Sequence, residues 1–230
     1  MIGIIGAMSV EVEGLKNKLE GATCEKLSGC EFVLGKLCGK DVVIAQCGIG
    51  KVNAAVCVNT MIIKYGVSAV INTGVAGTLC EKIGILDFAI STGVVQHDMD
   101  TTVFGDAPGF ISGIDIVTIP ASNNLSALAF SIAKEQGNNC ETGIIASGDQ
   151  FISNIDKKNY IRNTFSAIAC EMEGAAIGHA AYLSGVDFVV IRCISDSATG
   201  EAEMEYPEMV KRAAKKSMAL VEAMVSKMED

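Results

Sequence analysis

Tryptophan is absent from this 230-residue chain, histidine occurs twice, and arginine and proline three times each. Each shortage excludes something. The two histidines, His97 and His179, and cysteines that nowhere stand at CxxC spacing leave no zinc pattern. Arg162, Arg192 and Arg212 are the three arginines, and the formal net charge is −9. Such a chain is not built to neutralise a row of phosphates, so nucleic acid is not an expected partner. Half the residues are hydrophobic, yet no apolar run reaches the roughly 18 residues of a membrane span. The segment Met1-Ile-Gly-Ile-Ile-Gly-Ala-Met8 has no basic start and soon meets Glu11. It reads as a buried strand, not a leader. Nine cysteines, an odd number, lie partly in apolar runs. They read as small buried hydrophobes of a reducing compartment, the cytoplasm. Nothing in the composition calls for a metal or another cofactor.

What the chain does have is alternation of strand-length apolar runs with helical patterns. Strands are expected at 2–6, 32–37, 41–47, 69–73, 88–95, 142–147, 167–170 and 188–194. Helices are expected at 9–20, capped by Ser9, and at 51–64, 125–135, 156–163, 172–183 and 208–227. The helix at 51–64 has little polar face and should be buried. Residues 96–113 form a polar, glycine-rich excursion. With no linker or repeat, this predicts one α/β domain over 1–230: a three-layer sandwich with a central mixed sheet between helices. In such folds ligands sit at the carboxyl ends of strands.

Familiar motifs fail there. Gly48-Ile-Gly50-Lys51 ends like a phosphate loop, but Ala45 and Val52 stand where that loop needs Gly and Ser or Thr. Gly3-Ile-Ile-Gly6 lacks dinucleotide-fingerprint spacing, and no GxSxG elbow exists. His97-Asp98 reads better as hydrogen-bonded scaffolding than as a base. Three acidic segments fare better: Ala7–Glu11, Cys170–Gly174 and Ile191–Asp196. Each acid has an ordinary reading as a helix-dipole partner or turn cap. Their arrival at one end of one sheet favours chemistry instead, because carboxylates in contrasting environments are the usual equipment for glycoside cleavage.

Six motifs, Gly3-Ile-Ile-Gly-Ala-Met8, Cys47-Gly-Ile-Gly-Lys-Val52, Ile71-Asn-Thr-Gly-Val-Ala-Gly77, Ser147-Gly-Asp-Gln-Phe151, Glu171-Met-Glu173 and Arg192-Cys-Ile-Ser-Asp196, run in one order. In that order the chain resembles the 5′-methylthioadenosine/S-adenosylhomocysteine nucleosidases, within the purine nucleoside phosphorylase and hydrolase superfamily. The resemblance implies hydrolysis of those two nucleosides, and of 5′-deoxyadenosine, to adenine and a 5′-substituted ribose in methionine salvage. It implies Glu11 as the base that activates water and Asp196 as the acid that protonates adenine N7, supported by Ser195. Glu173 would hold the ribose hydroxyls, with Met172 beside the sugar and Arg192 steadying the acids. Phe151 would stack on the purine and the Ile152 backbone would bond its edge. Met8, Ile49, Val75 and Gly77 would line the pocket, and Tyr206 would lie near the 5′-substituent. Phe104, within residues 96–113, would reach a neighbour's pocket in a homodimer. Two positions depart from the family pattern: Val75 replaces a common serine, and Ser9 and Val10 replace acids.

Arginine scarcity separates hydrolysis from phosphorolysis. Phosphate is normally held by arginines; here the matching segments offer Glu11 and Asn72, and Glu173 should occupy Arg192. The alternatives are a phosphate-dependent purine nucleoside phosphorylase and a non-catalytic nucleoside-binding protein.

Overall fold

The computed structural model describes residues 1–196 and 206–228, with the backbone alone at 206. The strands are β1 (Ile2–Gly6), β2 (Glu20–Leu27), β3 (Cys30–Leu37), β4 (Lys40–Gln46), β5 (Ala69–Thr78), β6 (Phe88–Gln96), β7 (Ile119–Pro120), β8 (Cys140–Ser147), β9 (Ala167–Glu171) and β10 (Asp187–Asp196). The helices are α1 (Ser9–Lys16), α2 (Lys51–Tyr65), α3 (Asn123–Glu135), α4 (Ile155–Phe165), α5 (Gly174–Leu183) and α6 (Tyr206–Lys227). All strands join one mixed sheet in the order β10-β6-β8-β9-β5-β1-β4-β3-β2, with β7 beside β6. β10 also pairs with β5, so part of the sheet closes on itself.

The apolar runs follow from burial on both faces. Along β1, Ile4 enters one core and Ile5 the other; along β4, Val42 and Ile44 face one side and Val43 and Ala45 the opposite. α1, α3 and α6 cover the first face through Leu15, Ala129 and Leu220. α2 and α5 cover the second through Val58, Met61 and Ile177. This is the predicted α/β sandwich with a mixed sheet.

Several elements differ from expectation. α1 stops at Lys16, and Glu20 opens β2, a strand exposed along nearly its whole length. Without a buried face it carries no alternation to read. Ser9 lies inside α1 and Met8 holds the cap position. The amides of Ala7 and Met8 donate to the Glu11 carboxylate, at 2.8 and 2.9 Å. α2 is not buried all round: Val52 and Ile63 are 74% and 75% exposed. β5 runs past Thr73 to Thr78, and β10 past Ile194 to Asp196. Six cysteines are buried, but Cys24 and Cys38 are exposed, and all nine are free thiols.

The β5–β10 register sets up the site. Gly74 lies opposite Arg192 and Gly77 opposite Asp196, with a shift between Ile194 and Asp196 that inserts Ser195 as a bulge. A bulge re-aims the following side chain. Both partners are glycine, and a side chain would crowd each site unequally: a Cβ on Gly74 would stand 2.1 Å from Arg192 Nη1, where it cannot fit without a shift, and one on Gly77 3.0 Å from Asp196 Oδ1, a tight contact.

Candidate active site

A cleft of about 120 Å³ opens at the carboxyl ends of β1, β5, β9 and β10. Met8, Glu11, Ile49, Val75, Gly77, Phe151, Ile152, Met172, Glu173, Ser195 and Asp196 all line it. It is largely apolar with a few convergent carboxylates, the usual make-up of a small-molecule site. Phe151 stays 64% exposed at its mouth.

Glu11 is buried. Its Oε2 accepts the Ala7 and Met8 amides, and its Oε1 accepts the Val75 amide at 3.0 Å. Burial raises its pKa above the ordinary value, while Arg192 and these amides pull the other way. The outcome is a fixed carboxylate that is a stronger base than a solvated one. Val75 thus contributes through its backbone.

Glu173 is also buried, its Oε1 accepting the Gly50 amide at 2.9 Å. Burial, then the adjacent Glu171 charge, pushes its pKa up to about 7. Arg192 is not among the cleft-lining residues. It lies behind them, fully buried, and donates to Glu171 Oε2 and, at 2.6 Å, to Asn72 Oδ1; Glu173 Oε2 is farther, at 3.6 Å. The expected Arg192–Glu173 pairing is therefore secondary to Glu171. Glu171 further accepts the Ser147 hydroxyl and the amides of Glu173 and Gly174. It orients its neighbour Glu173 and fixes the arginine.

Asp196 ends β10, at the other side of the cleft. Burial raises its pKa above the ordinary aspartate value, opposed by the Lys158 ammonium 3.5 Å away. A carboxyl so placed is a stronger candidate for holding a proton than a surface aspartate.

The mouth is tied by a polar network. Lys51 Nζ bonds Asp98 Oδ1 at 2.6 Å, Asp98 Oδ2 accepts the Asp149 amide, and Asp149 Oδ1 accepts the Lys51 amide. Asp98 is thus scaffolding beside the 47–51 turn, as read from sequence. Phe104 lies apart from the cleft, in the 3-10 turn Thr102–Phe104, and is 83% exposed. The Tyr206 side chain falls outside the described residues. Sequence reasoning missed Glu171 as anchor, Asn72 as a partner of Arg192, and Lys158 altogether. The available signal for Lys158 was its place on the inward stripe of α4.

A sequence model described as the phosphorylase superfamily matches residues 1–226. A 5′-methylthioadenosine/S-adenosylhomocysteine nucleosidase of Staphylococcus aureus (strain JH9) is 41% identical over 229 residues, 99% of this chain and 100% of the relative. The chain belongs to the 5′-methylthioadenosine/S-adenosylhomocysteine nucleosidase family of the phosphorylase superfamily. Among solved structures, an aspartate-to-asparagine mutant of the Helicobacter pylori nucleosidase, with 5′-methylthioadenosine in its active site, has a TM-score of 0.94 and 36% identity. That match covers 99% of this chain and 98% of the other. A futalosine hydrolase of Helicobacter pylori strain 26695 has a TM-score of 0.93 and 35% identity, covering 99% and 97%.

Proposed function

We propose that this nucleosidase-family chain hydrolyses the N-glycosidic bond of 5′-methylthioadenosine and S-adenosylhomocysteine, releasing adenine and the 5′-substituted ribose, as a step of methionine salvage. The observation that carries this reading is the convergence of Glu11 and Asp196, in contrasting environments, on one apolar cleft. Adenine leaves poorly as an anion. Transfer of the Asp196 proton to N7 lets the C1′–N9 electron pair pass to the purine, which departs neutral. The sugar becomes oxocarbenium-like and is stabilised by the nearby carboxylates. Water adds to C1′ and its proton passes to Glu11. Glu173 accepts the ribose hydroxyls, Phe151 stacks on the purine, and the Ile152 backbone bonds its edge. Met8 and Met172 pack against the sugar and its substituent.

Water is favoured over phosphate by charge. Arg192 is consumed by Glu171, Asn72 and Glu173. Arg162 pairs with Glu81 at the surface, and Glu11 would repel a phosphate dianion. The chain also pairs with a second copy in this reading. Val52, Ile63, Phe104 and Leu183 are exposed apolar side chains of the kind such a copy would cover, and the pairing would bring residues 96–113 to the neighbour's pocket. The free thiols fit a reducing cytoplasm.

Chromatography of adenine released from 5′-methylthioadenosine, S-adenosylhomocysteine, 5′-deoxyadenosine and futalosine, with and without phosphate, tests the reading. Equal adenine release in both buffers from the first two substrates supports it. Release only with phosphate identifies a phosphorylase, and binding without turnover a nucleoside-binding protein. Sedimentation at equilibrium should give twice the chain mass.

A further inference from the structure

α4 buries Lys158, Ile161 and Phe165. These stand three and four residues apart, the spacing of one helix stripe facing the sheet. Lysine does not belong on such a stripe unless a partner compensates its charge. Its neighbour Lys157 lies exposed on the outer side. Lys158 instead turns its ammonium toward the end of β10, 3.5 Å from Asp196 Oδ2, and its side chain is only 4% exposed.

We propose that Lys158 is a positioning residue for Asp196: its ammonium holds the carboxyl group toward the cleft and stabilises the carboxylate that remains once the proton has passed to the purine. This inference rests on the reading of Asp196 as the acid. Proton transfer moves negative charge onto Asp196 as C1′–N9 breaks and the bond's electrons enter the purine. In a half-buried pocket that charge is costly unless a fixed cation faces it. Lys158 therefore acts more strongly late in the reaction than in the ground state, the condition for raising kcat. Among the described residues, Gly77 faces Asp196 from β5, the Cys170 thiol from β9, and Lys158 from α4. Burial, and then the Asp196 charge, pushes Cys170 up to about 12, so it stays neutral through the working range. Burial lifts the Asp196 carboxyl above its ordinary value, and Lys158, the cation facing it among the described residues, draws it back down.

The test is the pH profile of adenine release for wild type, Lys158→Met, Lys158→Arg and Asp196→Asn, each checked by thermal melting. In Lys158→Met the alkaline limb of kcat/KM should move up by about one pH unit or more. Its kcat should fall about tenfold or more with KM changed less than about threefold. Lys158→Arg should return the limb to its wild-type position. If Lys158→Met does not fold, Lys158→Gln carries the same test. A folded Lys158→Met or Lys158→Gln enzyme with wild-type kcat and an unmoved limb overturns the proposal. Full activity in Asp196→Asn would instead overturn the underlying acid assignment, which the same series reads separately.

Discussion

The two ends of the cleft are built differently, although Val75 and Gly77, their markers on β5, stand only two residues apart. At the Glu11 end, each carboxylate is gripped by backbone amides, and a fully buried arginine sits behind them with Glu171 and Asn72. At the Asp196 end, a glycine leaves space and one lysine stands 3.5 Å away. The first end stabilises charge that stays in place, and preorganised donors do this best when they cannot relax. In the proposed mechanism the second end hosts a group that changes charge in every turnover, and there the described partner is a point charge 3.5 Å away. The contrast fits division of labour between a sugar-stabilising end and a proton-donating end.

The largest test of the gripped end is Glu11→Gln. The amide offers one acceptor where the carboxylate accepts three N–H groups, and it cannot take water's proton. Steady-state assay should show kcat lower by about 10²–10⁴-fold. Arg192→Met should leave Glu171 buried and uncompensated, destabilising the fold by about 3–5 kcal/mol in urea titration. Next come two glycine substitutions on one strand. Gly74→Ala places a Cβ 2.1 Å from Arg192 Nη1 and 2.5 Å from Glu11 Oε1, whereas Gly77→Ala meets Asp196 Oδ1 at 3.0 Å. The first should abolish activity and lower Tm markedly. The second should lower kcat with a smaller change in Tm, because a terminal carboxylate can turn aside. Equal effects would break the comparison. The smallest effect concerns Glu173, whose pKa stands at about 7. In the proposed mechanism the ionised form accepts the ribose hydroxyls, so protonation should remove binding as pH falls through that value. KM should rise about tenfold per pH unit well below it, and Glu173→Gln should flatten that dependence.

Much of this was legible in the sequence because strands buried on both faces leave unbroken apolar runs, and the site sits where those runs end. Ile2–Gly6 leads to Glu11, and Asp187–Asp196 leads to Ser195 and Asp196. What was not legible depends on the third dimension. β2 has no buried face and left no period. The apolar outer face of α2 looked like core, because a sequence does not say whether hydrophobic residues meet the same chain or another surface. Glu171 and Glu173 look equivalent as written. Only the register of β8 with β9, which sets Ser147 against Glu171, and the position of Arg192 make one the anchor and the other the cleft-facing group. Lys158 becomes meaningful once α4 is docked against β9.

The central claim is that Asp196 gives up its proton to the departing purine. Binding and turnover of 5′-methylthioadenosine by Asp196→Asn, measured side by side by calorimetry and adenine release, test it most directly. The account predicts a Kd within a few-fold of the wild-type KM and a kcat reduced by about 10²–10⁴-fold. An Asp196→Asn enzyme that binds equally well and turns over at the wild-type rate would contradict it.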